Sequence, residues 1–106
     1  MPKYLYKASY TSEGAKGLIK DGGSGRRSAI EKMTKDLGGK LESFYFAFGD
    51  TDVYLVVDLP DAASAAAISV SVGAAGGAHI STVPLMTPED VDLAVKKSVH
   101  YRSPGS

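Results

Sequence analysis

Residues 44–58, FYFAFGDTDVYLVVD, consist of two apolar runs separated by four small or acidic residues. Each run is rich in the aromatic and β-branched side chains typical of strands, and the Gly49-Asp50 step between them is short enough for a hairpin turn. Side chains alternate between the two faces of a strand, and here both faces carry apolar groups. A hairpin of this composition needs cover on both sides of its sheet.

The rest of the chain alternates strand and helix patterns around this hairpin. Alternating residues bounded by turn residues predict strands, and apolar residues at helical spacing after a cap residue predict helices. The predicted elements are a strand over 3–10, two helical pieces within 11–37 joined by a glycine hinge at 21–25, strands over 40–48 and 52–59, a helix capped by Asp61 that ends within 73–77, a strand over 78–85, and a helix starting at Thr87-Pro88. This order predicts an α+β, ferredoxin-like βαββαβ fold with a C-terminal helix.

The two faces of the hairpin lead to a prediction about assembly. One face is expected to lie under the helices and carries Phe44, Phe46, Phe48, Val53, Leu55 and Val57. The other carries Ser43, Tyr45, Ala47, Asp52, Tyr54 and Val56. This second face is too apolar to remain in water, and a chain of 106 residues has no further element large enough to cover it. We therefore expect a homodimer, or an assembly of dimers, whose sheets face each other as a dimeric α/β barrel.

The composition argues against several classes of function. Twelve basic and twelve acidic residues leave no net charge to attract nucleic acid or an anionic membrane. The absence of cysteine removes disulfides, thiolate catalysis and thiolate metal sites. The two histidines, His79 and His100, have no metal-motif spacing. Because no metal or cofactor motif is present, we expect no metal or organic cofactor. The start MPKYLYKASY has neither a signal-peptide nor a membrane-helix pattern, so we expect a cytoplasmic protein.

Four segments resemble the small bacterial GYD-domain proteins: MPKYLYKASYTSEGAKGLIKDGGSGRR, LGGKLESFYFAFGDTDVYLVVDLPD, TVPLMTPED and KKSVHYRSPG. The resemblance spans nearly the whole chain as a single domain, 1–106, and implies a dimeric α/β-barrel protein of a family with no assigned activity. In the hairpin, Gly49-Asp50-Thr51-Asp52, threonine stands where tyrosine is usual in the family, so the resemblance implies no role at position 51. We expect the polar tail, 98–106, to be ordered only against a partner.

A candidate site follows if the polar side of each strand points into the space between two sheets. That side collects Lys7, Ser9, Ser43, Tyr45, Asp52, Tyr54, His79 and Ser81. Aromatic walls with a few polar groups predict a small-molecule pocket, with Lys7, Ser9, Tyr54 and Ser81 as ligand-binding residues. In a catalytic interpretation His79 is the general acid or base, Asp52 orients it, and Tyr45 or Lys7 donates to a developing oxyanion. In the alternative interpretation the tyrosines and the histidine are packing groups of an interface.

A second candidate is the segment GGSGRR, 22–27, which opens a helix with free amides and with Arg26 and Arg27. These groups suit a carboxylate or phosphate, but the segment lacks the phosphate-loop and dinucleotide fingerprints, so the alternative is a solvated hinge. Two functional classes stay open. One is a homo-oligomeric module that binds a small molecule or acts through its assembly. The other, by analogy of fold, is a cofactor-independent enzyme, monooxygenase- or isomerase-like, for a small aromatic or enolisable substrate.

Overall fold

A computed structural model describes all 106 residues of the chain. Its elements are β1 (Lys3–Tyr10), α1 (Ser12–Asp36), β2 (Lys40–Phe46), β3 (Val53–Asp58), α2 (Ala62–Ala75), β4 (Ala78–Leu85) and α3 (Pro88–Val95). The four strands form one antiparallel sheet in the order β2-β3-β1-β4. Side chains of α1 and α2 pack on the same face of this sheet, which confirms the predicted ferredoxin-like α+β fold.

The starts of α2 and α3 are fixed by the cap residues that the sequence indicates. Asp61 accepts a hydrogen bond of 2.8 Å from the amide of Ser64. Thr87 accepts one of 3.1 Å from the amide of Asp90, whose carboxylate accepts in return from the amide of Thr87, 3.2 Å away. These bonds satisfy amides of the first turn, which have no partner inside the helix.

Helix α1 is bent at Gly22, where φ is 74° and ψ is 168°. A side chain at this position would be strained, whereas glycine reaches positive φ at little cost. The glycine hinge predicted within 21–25 is therefore present. It joins its two helical pieces directly, without an intervening loop.

The core lies between the sheet and the two helices that cover it. Its buried side chains come mainly from the sheet, and they are Tyr4, Tyr6, Ala8, Val53, Leu55 and Val57, with Leu59 after β3 and Ala65 and Ile68 from α2. Ten of the 106 residues are buried in all. Since the buried set is this small, much of the apolar surface of the chain has no cover from the chain itself.

The hairpin is shorter than predicted. Strand β2 ends at Phe46 and β3 begins at Val53, so Ala47, Phe48 and Asp52 are not strand residues. The prediction that Phe48 lies under the helices is wrong, because this side chain is 98% exposed. The turn is also longer than Gly49-Asp50, because the hydrogen bonds of Asp52 draw the chain towards β1: its amide donates to the carbonyl oxygen of Ala8 at 2.8 Å.

A C-terminal arm, residues 86–106, follows the last strand. Every residue from Val83 to Ser106 is exposed, so α3 does not cover either face of the sheet. The radius of gyration is 16.8 Å, whereas a compact domain of this length is expected to have about 13 Å. The arm therefore extends away from the body of the chain. None of the helices combines the length and the apolar character needed to cross a membrane.

Candidate functional site

The side of the sheet turned away from α1 and α2 is called the open face here. Strand register places four of the predicted site residues in one row across it, in the order Tyr45, Tyr54, Lys7 and Ser81. A parallel row begins with Ser9 paired to His79. Directly paired side chains on one face lie about 5 Å apart at their Cβ atoms. The two rows hold six of the eight residues predicted for this face, and Ser43 belongs to the next row. Asp52 lies in the loop before β3.

The centre of the open face is apolar. The row beside the tyrosines consists of Val56, Leu5 and Val83, with Ser43 at its β2 end. Tyr45 is 70% exposed and Tyr54 is 40% exposed. The aromatic and aliphatic groups form a continuous strip over all four strands, because their rows are adjacent in register. The chain leaves this strip without cover.

One end of the open face carries an ion-pair cluster that sequence reasoning missed. The ammonium of Lys3 lies 2.8 Å from Oδ1 of Asp58 and also pairs with the carboxylate of Glu42. The hydrogen bond from Lys3 holds the pKa of Asp58 below its usual value, and the bonds to Asp58 and Glu42 raise the pKa of Lys3. Glu42 reaches this end because β2 has an irregular register between Leu41 and Ser43, which alternation in the sequence does not show.

Asp52 and His79 are not joined in the single chain. Oδ2 of Asp52 accepts a hydrogen bond of 2.8 Å from the amide of Tyr10, so this carboxylate links the loop after β2 to the end of β1. Ser9 lies between them, and its hydroxyl donates to the carbonyl oxygen of Asp50 at 2.6 Å. His79 is exposed at the rim of the open face. The catalytic roles of His79, Asp52 and Tyr45 stay predictions.

Comparison with known proteins assigns the chain to a family. The sequence model of the GYD domain matches residues 4–95. The chain belongs to the GYD-domain family. No curated protein and no solved structure matches it at a significant level. The matched residues run from β1 to the end of α3, so the open face lies within the GYD domain and residues 96–106 follow it.

Arg26 and Arg27 directly follow the glycine hinge, and they line two different spaces on the helical side of the sheet. Arg26 lines an apolar cavity between the sheet and the helices, whereas Arg27 lies beside Phe44 and Phe46 in a separate shallow hollow. Nη1 of Arg26 lies 3.6 Å from Oδ2 of Asp21. The two predicted sites are therefore on opposite faces of the sheet. The cavity itself was not predicted, although the alanine-rich sequence of α2 was a signal that large side chains are scarce there.

Proposed function

We propose that this GYD-domain protein is a homo-oligomer that binds a small molecule between the open faces of two copies. The observation that carries the proposal is the apolar strip on the open face, which no element of the chain covers. Monomeric proteins rarely leave a continuous apolar patch of this kind exposed. Two sheets that pack face to face lie about 10 Å apart, which leaves room for interdigitated side chains or for a ligand.

The position of Lys7 favours a bound ligand between the two sheets over an interface filled only by packed side chains. Lys7 lies on the open face between Tyr54 and Ser81 and makes no ion pair with any residue of the chain. Covering an ammonium group with apolar surface is costly unless an opposite charge accompanies it. A small acidic ligand with an aromatic or aliphatic body fits the surroundings: its acidic group would meet Lys7 and its body would lie on the two tyrosines.

The C-terminal arm supports a second copy as the cover. Val91 and Val95 are spaced by one turn on α3, and both are exposed. Val99 and Tyr101 continue the apolar pattern beyond the helix and are exposed too. An arm with apolar groups and no contact surface in its own chain is suited to a neighbouring subunit, and symmetric exchange of two such arms closes the assembly.

Binding is better supported than catalysis. The enzyme alternative needs Asp52 to orient His79, but no hydrogen bond joins these side chains in the single chain, and Oδ2 of Asp52 accepts from the amide of Tyr10. His79→Ala discriminates between the two. Loss of turnover without loss of stability would favour an enzyme, whereas a lower melting temperature and a looser oligomer would indicate an interface residue.

Native mass spectrometry tests the assembly with a matched pair of variants. Val56→Lys places a charge in the centre of the open face, and Ile19→Lys places the same charge on α1, where the side chain is 85% exposed. We expect the wild type and Ile19→Lys to be dimers or multiples of dimers, and Val56→Lys to be a folded monomer. A monomeric wild type, or an unchanged oligomer in Val56→Lys, would contradict the assembly.

The same spectra test the ligand. We expect the wild-type oligomer to retain additional small-molecule mass and Lys7→Gln to lose that mass while it keeps the number of subunits. An oligomer in which both proteins carry no additional mass would leave the assembly standing and contradict the small-molecule site.

A further inference from the structure

A cavity lies on the helical side of the sheet, between α1 and α2. Its inner chamber has a volume of ≈ 70 Å³, and its walls are thirteen apolar residues and one charged residue, Arg26. An outer cleft of ≈ 240 Å³ shares four wall residues with the chamber, namely Tyr10, Arg26, Val72 and Ala78. The chamber and the cleft are therefore adjacent, and Arg26 lines both.

The sequence explains why this space stays open. Helix α2 is AASAAAISVSVGAA, and within it only Ile68 and Val72 contribute larger side chains to the chamber wall. Helix α1 contributes Ile30 and Met33 after the bend at Gly22. Small side chains on one helix and a bend in the other leave the centre of the core underfilled, whereas protein interiors are normally close-packed.

The guanidinium of Arg26 has free hydrogen-bonding capacity at this junction. Its side chain is 33% exposed, and its only charged neighbour is Asp21, whose Oδ2 lies 3.6 Å from Nη1. No hydrogen bond to a protein group uses any of its five N–H donors. A guanidinium binds a carboxylate through two parallel hydrogen bonds, which fits it to an acidic group at the mouth of an apolar chamber.

We propose that this cavity is a binding site for a small monocarboxylate with an apolar chain. The carboxylate lies on Arg26 and the end of the apolar chain enters the inner chamber. Asp21 beside the arginine disfavours a second negative charge, so the ligand carries one. The chamber holds less than the roughly 150 Å³ cavity that accepts benzene. With the outer cleft, the space reaches the lower end of small-molecule pockets, about 300 Å³.

This site does not depend on the proposed function. Its wall belongs to a single chain and lies on the other side of the sheet from the open face. A monomeric protein would therefore keep it, and failure of the assembly and failure of this site are separate results.

Methionine-methyl NMR with hexanoate as the probe tests the site. The chain has three methionines: Met33 lines the chamber, and Met1 and Met86 are exposed elsewhere. We expect a saturable shift of the Met33 signal, with Met1 and Met86 unmoved. Arg26→Gln should weaken binding about tenfold, the loss typical of one charge-assisted interaction, and Arg27→Gln should not. Asp21→Asn should tighten binding, and hexanol should bind wild type at least about tenfold more weakly than hexanoate.

A second groove between the helices is the principal competing location, because Met33 also lines it together with Lys32. Lys32→Gln should leave the Met33 titration unchanged. Val72→Phe, which fills the junction, should abolish it, with circular dichroism used to confirm a folded protein. The proposal is overturned by the absence of a saturable shift, by equal affinities in Arg26→Gln and Arg27→Gln, or by a loss of binding in Lys32→Gln alone. If Arg26→Gln does not fold, the Asp21→Asn and hexanol comparisons decide.

Discussion

Oδ2 of Asp52 accepts a hydrogen bond from the backbone amide of Tyr10 at 2.8 Å, while the amide of Asp52 donates to the carbonyl oxygen of Ala8. The two bonds fix the loop after β2 against the end of β1. Asp52, which is a candidate catalytic residue in the sequence, therefore has a structural role in this loop. Neither bond involves His79, which is exposed at the rim of the open face.

The first prediction concerns this carboxylate. Asp52→Ala leaves the Tyr10 amide without its acceptor and should lower the free energy of unfolding by about 1–2 kcal/mol. Asp52→Asn keeps an acceptor oxygen and should recover most of that loss. Urea unfolding of the three proteins measures both effects. An equal loss in the two variants would show that the negative charge matters more than the hydrogen bond.

The second prediction concerns Tyr6, whose hydroxyl donates to the carbonyl oxygen of Ala65 at 2.7 Å and ties β1 to α2. Tyr6→Phe should cost about 1 kcal/mol at pH 7. Burial raises the pKa of Tyr6, so its contribution is complete below the unfolded pKa of about 10 and is lost as the pH rises through the folded value. Urea unfolding at pH 7 and pH 10.5 should show a smaller alkaline loss in Tyr6→Phe than in wild type.

The third prediction uses two glycines of α1 as a matched pair. A Cβ at Gly14 would lie 1.9 Å from the carbonyl oxygen of Gly77, whereas a Cβ at Gly17 would meet nothing within 4 Å. Gly14→Ala should therefore destabilise the protein by about 1–3 kcal/mol through overpacking. Gly17→Ala should stabilise it by about 0.5–1 kcal/mol, because alanine loses less backbone entropy in a helix. Thermal melts with the same sign for both variants would contradict this docking of α1.

The close approach of Gly14 to Gly77 also shows what the sequence could and could not predict. Local signals were sufficient for the element order, the caps at Asp61 and Thr87, and the hinge at Gly22, because each depends on a few neighbouring residues. Alternation was sufficient to place Lys7, Tyr45, Tyr54 and His79 on one face, because side-chain direction in a strand has a period of two.

The predictions were wrong where a residue forms hydrogen bonds or ion pairs with a segment that is distant in the sequence. Asp52 leaves its predicted strand because β1 offers it hydrogen bonds, and Glu42 reaches Lys3 because β2 shifts register. The cavity at Arg26 depends on the distance between α1 and α2, which follows from packing rather than from either helix alone. Periodicity predicted which residues face the core but not how completely they fill it.

The fourth prediction is the pH dependence of the Lys3–Asp58 pair. The lowered pKa of Asp58 and the raised pKa of Lys3 both come from their mutual hydrogen bond. The pair therefore stabilises the fold above the unfolded aspartate pKa of about 4 and below the unfolded lysine pKa of about 10.5. Lys3→Met should melt at a lower temperature than wild type at pH 7, and the difference should vanish below the folded pKa of Asp58. A difference that persists at pH 2 would point to packing of the lysine stem instead.

The last prediction concerns the end of the C-terminal arm. Deleting residues 98–106 removes Val99 and Tyr101, which are exposed in the single chain. The deletion should therefore not change the thermal unfolding of Val56→Lys, the variant that is expected to be monomeric. In the proposed oligomer the deletion should weaken association at least about tenfold, because it removes apolar surface that the single chain leaves exposed. Analytical ultracentrifugation over a dilution series measures this effect. An unchanged dissociation constant would show that residues 98–106 do not contribute to association, and contacts between the open faces alone would then have to hold the proposed dimer together.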